Sequence, residues 1–92
     1  MLRLCISGMT PRSRRALLNL KQICDEHLKG QYELEVIDLY QQPELAARYE
    51  VIASPTLFKI MPPPLRRMIG DLSDTPSLLR RLGIVREKTT AL

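Results

Sequence analysis

The sequence has no tryptophan, one phenylalanine and three tyrosines among its 92 residues. Its basic clusters, Arg12-Ser13-Arg14-Arg15 and Arg66-Arg67, therefore lack the interleaved aromatics on which unstacked bases rest, and nucleic acid is not an expected partner. The one histidine, His27, has no flanking nucleophile motif, so a hydrolytic triad cannot be assembled. At the end of a predicted helix, that imidazole suits the helix dipole instead. The two cysteines, Cys5 and Cys24, have neither Cys-x-x-Cys spacing nor histidine company. A disulfide framework and a zinc site are both disfavoured, and no metal or cofactor is expected. No glycine-rich phosphate loop is present, which argues against an ATPase. No apolar run reaches membrane-spanning length, and Met1-Leu2-Arg3 reads as the start of a strand rather than a signal peptide. The expectation is a soluble cytoplasmic protein with no membrane partner.

What the chain does have is arginine, proline and clear punctuation. Its length suits one domain over residues 1–92, with 86–92 expected as a flexible tail. The formal charge of +4 comes mostly from clustered arginines, which favour acidic protein surfaces or phosphates. Four of the seven prolines fall within Val51–Asp74. There Leu57-Phe58-Lys59-Ile60 alternates like a strand, Pro62-Pro63-Pro64 stops any regular element, and Ser73-Asp74 precedes Thr75-Pro76 as a helix start.

From the N-terminus, Leu2, Leu4 and Ile6 alternate on one face of a first strand. Gly8 ends it, and Thr10-Pro11 supplies an N-cap with proline at the first helical position. Over Arg12–Leu28, Leu17, Leu20, Cys24 and Leu28 keep helical period, with Ala16 and Ile23 beside them. Lys29-Gly30 terminates that helix. Tyr32–Leu39 is the next strand, with Leu34 and Val36 opposite Ile37. Pro43-Glu44 opens a short helix with body Leu45–Tyr49. Pro76–Val85 has helical spacing, although Gly83 weakens it and Leu82–Val85 also reads as a short strand.

This order is that of a thioredoxin-like α/β domain, βαβαββα, with Pro55 where that fold has a cis proline. A thioredoxin-type oxidoreductase needs a low-pKa cysteine at the start of its first helix. Met9-Thr10-Pro11-Arg12-Ser13 stands there instead. An alternative reading is a glutathione- or peptide-binding transferase-like protein using Thr10 or Ser13. Against it, Thr10 serves as a helix cap and Ser13 as an exposed first-turn residue.

Several stretches resemble the KaiB family of circadian clock proteins. They are Leu4–Pro11, Arg15-Ala16-Leu17, Tyr32–Asp38, Gln42–Ala46, Ile52–Leu57 and Pro62–Asp74, spread over nearly the whole chain. The resemblance implies a non-enzymatic regulator that binds a KaiC-type ATPase, with a KaiA-like protein or a sensor histidine kinase as further partners. It implies two packings of one sequence, the thioredoxin-like one and a self-associating dimer or tetramer ordered βαββααβ. It also assigns Arg48, Tyr49, Glu50, Arg66, Arg67 and Asp71 to partner binding. Pro55, Pro62, Pro63, Pro64, Arg81 and Gly83 become the positions where the two packings diverge. After Leu45-Ala46 the family usually has an acidic pair and then a lysine, whereas Ala47-Arg48-Tyr49-Glu50 changes the charge at those positions here, and Arg81 and Gly83 stand at its glycine and aspartate positions.

Overall fold

A computed structural model describes residues 1–84. The order is β1 (Leu2–Ile6), α1 (Pro11–His27), β2 (Leu34–Asp38), α2 (Glu44–Arg48), β3 (Thr56–Lys59), β4 (Arg66–Ile69) and α3 (Thr75–Leu82). The strands form one sheet in the order β2-β1-β3-β4. Strand β1 runs parallel to β2 and antiparallel to β3, and β3 runs antiparallel to β4. The parallel pair is joined by α1, whereas β3 and β4 form a hairpin across the proline segment.

Sequence punctuation sets the helix limits. Thr10 caps α1, its hydroxyl accepting from Ser13 N–H at 3.1 Å, with Pro11 at the first position. Asp74 caps α3 in the same way, accepting from Ser77 N–H at 3.2 Å. Gly83 closes α3 at φ 77°, with Gly83 N–H donating to Arg80 O and Ile84 N–H to Leu79 O. These two bonds form a Schellman motif, so the glycine stops the helix rather than interrupting it. The expected strand at Leu82–Val85 is corrected at Leu82, which ends α3; Val85 and the expected tail 86–92 lie outside the described residues.

The sheet is covered on both sides, which is why central β1 is apolar on both faces. On one side Leu2, Leu4, Ile6, Leu57 and Met68 meet Ala16, Leu20 and Ile23 of α1 and Leu78 and Leu79 of α3. On the other, Cys5, Ile37, Leu39 and Phe58 meet Leu45, Ala46 and Tyr49 around α2. Leu4, Leu20 and Leu57 are fully shielded, so truncating any one to alanine costs about 2–5 kcal/mol. Leu34 and Ile37 occupy the opposite faces their alternation requires, but Val36 remains 43 % exposed on edge strand β2, shielded from one side only. The peptides before Pro55, Pro62 and Pro64 are cis. Lys59 Nζ donates to Pro62 O at 2.8 Å and ties β3 to the proline segment.

Candidate functional site

Register brings together residues that are far apart in sequence. Glu35 pairs with Arg3, Arg3 with Phe58, and Phe58 with Arg67, so one row crosses all four strands on the α2 side. Along it the Arg3 Nε donates to Glu35 Oε1 at 2.7 Å, and the Arg67 guanidinium lies 5.3 Å from the Phe58 ring centroid. Tyr49, just beyond α2, places its ring 4.1 Å from the Arg3 guanidinium, with Arg48 6.0 Å from the same ring. Arg3, Arg48, Tyr49, Glu50, Phe58, Ile60 and Leu65 line a cavity of about 230 Å³. Cationic groups on aromatic and aliphatic walls suit a partner with both acidic and apolar side chains.

The turn that presents this cluster has an unusual residue. Glu50 adopts φ 55°, with Glu50 N–H donating to Ala47 O and Val51 N–H to Ala46 O. Helix α2 thus ends in the same Schellman motif as α3, but with glutamate where glycine is favoured. Holding a non-glycine residue there costs about 1–2 kcal/mol.

Of the six residues the resemblance assigns to partner binding, four lie on this side. Arg48, Tyr49 and Glu50 line the cavity, and the Arg67 side chain covers neighbouring Phe58. Arg66 does not join them: adjacent strand residues alternate faces, which puts it with Met68 on the α1 side. Asp71 is also elsewhere, after β4. Its carboxylate accepts from Ser73 N–H at 3.1 Å and Arg15 Nε at 3.4 Å, while its carbonyl accepts from Asn19 Nδ2 at 2.8 Å. The hydrogen bonds from Ser73, then Arg15, hold its pKa below the ordinary carboxylate value. Asp71 clamps the β4–α3 turn to α1. Arg81 reaches back to Arg67 O at 3.5 Å. Arg3 and Phe58 were missed by sequence reasoning; their alternation was legible, but only cross-strand register shows that they meet.

The start of α1 holds no cysteine. The Thr10 and Ser13 hydroxyls are 3.1 Å apart and hydrogen-bonded to each other. Ser13, expected to be exposed, is 2 % exposed, because the first turn faces the core below its cap. Cys5 and Cys24 are free and buried, and belong to the cores on opposite faces of the sheet. Burial pushes both thiols up, Cys24 to about 11. A thiol so placed is protonated and a poor nucleophile at neutral pH. Among the described residues no group of three or more His, Cys, Asp or Glu side chains is placed to hold a metal ion. No helix among them is long and apolar enough to cross a membrane.

The element order, the sheet order and the cis peptide before Pro55 define a thioredoxin-like domain. The N-terminal domain of SasA from Synechococcus elongatus is similar at 28 % identity and TM-score 0.71, over 89 % of this chain and 81 % of that one. The germline-specific thioredoxin Deadhead of Drosophila melanogaster shares the fold at 17 % identity and TM-score 0.68, over 89 % of this chain and 76 % of that one. The KaiB domain family model matches residues 3–84, and the chain belongs to that family. The circadian clock oscillator protein KaiB of Prochlorococcus marinus (strain MIT 9312) is 47 % identical over 97 % of this chain and 85 % of its own length. The circadian clock protein KaiB3 of a Synechocystis species is 46 % identical over 94 % of this chain and 84 % of its own.

Proposed function

We propose that this chain is a non-enzymatic, cytoplasmic regulator that binds a KaiC-type ATPase and modulates its ATPase and phosphorylation cycle. The role is circadian or in a related stress or signalling pathway. The observation that carries this reading is the family match over residues 3–84. The Arg48–Glu50 turn and Arg67 supply the contact surface, using charge for orientation and the Tyr49 and Phe58 rings for buried area. The likeness to the SasA domain supports competition with a sensor histidine kinase for one docking place, and a KaiA-like protein is a further partner. The self-associating dimer or tetramer draws on the second packing of the C-terminal half. That packing requires Pro55, Pro62, Pro63 and Pro64 to re-route the chain, and residues around Arg81 and Gly83 to leave their helical positions.

The experiment is co-elution with a KaiC-type ATPase from the same genome, in the presence of ATP, followed over hours on a sizing column. A slowly forming complex weakened by reversing Arg48 and Arg67 is the expected result. Reversal of Arg66 alone, on the other face, should have a smaller effect. Absence of a complex at high concentration would refute the reading.

A further inference from the structure

Among the described residues, strand β4 is an edge of the sheet and pairs only with β3. Gly70 N–H donates to Pro55 O at 2.9 Å, which fixes the alternation of the ladder. Met68 and Gly70 direct their backbone polar groups toward β3, and Arg67 and Ile69 direct theirs outward. Beside this open edge runs a second cavity, about 450 Å³, between β4 and α3; its lining includes Arg12, Ile69, Gly70, Ser73, Ser77 and Arg81.

Two guanidinium groups bracket the cavity. A Cβ on Gly70 would lie 3.6 Å from Arg12 Nη2, so Arg12 stands over the Gly70 end. Arg81 Nη1 is 3.5 Å from Arg67 O, at the other end. Three residues of extended strand separate these points, about 10 Å. Neither Arg12 nor Arg81 forms an ion pair among the described residues. The acids lining the cavity are already engaged, Asp71 with Arg15 and the Ser73 N–H, and Asp74 as the cap of α3.

We propose that the groove between the β4 edge and α3 binds an extended acidic peptide segment. The peptide adds as a fifth strand, bonding to the outward N–H of Arg67 and the outward backbone groups of Ile69 while Arg81 keeps the Arg67 carbonyl, and sets its carboxylates against Arg12 and Arg81. Charge argues against a second copy of this chain as occupant, because pairing two β4 edges would bring Arg66 and Arg67 of both together. Spacing argues against a lone phosphate, which cannot bridge cations held at opposite ends of the groove. The groove is separate from the cavity lined by Arg48, Tyr49 and Glu50, so the inference does not rest on the proposed ATPase partner.

The probe is a fluorescein-labelled peptide, Ser-Glu-Val-Glu-Val-Glu-Ser, titrated by anisotropy and by amide NMR shifts of the labelled protein. Saturable binding is expected, with shifts at Ile69, Gly70, Ser73 and Ser77. Arg12→Ala and Arg81→Ala should each weaken it about fivefold, the scale of an exposed ion pair. Ile69→Pro removes an outward donor without breaking the β3 ladder, and should weaken binding while the remaining amide spectrum persists. A peptide N-methylated at alternate residues should bind at least tenfold more weakly. Equal affinity for that peptide, its full displacement by pyrophosphate at matched ionic strength, shifts confined to Leu34–Asp38, or no binding would each overturn the proposal.

Discussion

The Arg3 guanidinium lies 4.1 Å from the centroid of the Tyr49 ring while its Nε donates to Glu35 Oε1 at 2.7 Å. One side chain on β1 therefore couples edge strand β2 to the turn after α2. The ion pair is partly exposed and worth little by itself; the aromatic contact adds shape as well as charge. Tyr49→Leu should lower stability by about 0.5–1 kcal/mol, and Tyr49→Phe, which keeps the ring, should lower it less. Urea unfolding midpoints measure both. Equal losses would mean that the ring face contributes nothing.

Glu50 and Gly83 make opposite predictions from one geometry. Both occupy the left-handed position of a Schellman motif, at φ 55° and 77°. Glu50→Gly should raise stability by about 0.5–1 kcal/mol, after allowing for the greater freedom of glycine when unfolded. Gly83→Ala should lower it by about 1 kcal/mol. If Glu50→Gly proves destabilising in thermal unfolding, the Glu50 side chain makes a contact that outweighs the backbone strain.

Asp71 sets part of the acid limb of stability. Its folded pKa is depressed by Ser73 and Arg15, so the unfolded chain takes up the proton first. The contribution is present above the unfolded carboxylate pKa and is lost as pH falls through the folded value. Asp71→Asn should flatten the fall in unfolding midpoint between about pH 4 and the acid transition. An unchanged slope would place the acid sensitivity in another carboxylate.

The two thiols should be silent in the folded protein. Burial holds Cys24 protonated up to about 11 and raises Cys5 as well. Labelling by a thiol reagent at neutral pH should therefore occur only through opening, and accelerate with denaturant in step with unfolding. Rapid modification of either thiol without denaturant would contradict the assigned burial.

Much of this architecture was legible because local signals agreed with the fold. Thr10-Pro11, Pro43-Glu44 and Asp74-Thr75-Pro76 start helices where the sequence predicts, and alternation in Leu2–Ile6 locates the central strand. The candidate site was less legible, since its contacts depend on register. Arg66 and Arg67 read as one basic pair, yet strand alternation sends them to opposite faces. Asp71 reads as a surface acid bonding locally in a turn, which its bond from Ser73 N–H bears out, but its partners Arg15 and Asn19 lie on a helix more than fifty residues earlier. Glu50 carries no sequence signal for a left-handed conformation, which the helix end imposes on it. Ser13 reads as an exposed first-turn residue, whereas it is buried and the Thr10 hydroxyl donates to it at the core boundary.

The most direct test of the account is the ATP hydrolysis rate of a KaiC-type ATPase from the same genome, measured over hours with and without this chain. The rate should change slowly after addition, and should stay at its basal value when the added protein carries Arg48→Glu and Arg67→Glu together. A rate unaffected by the unaltered chain at saturating concentration would contradict it.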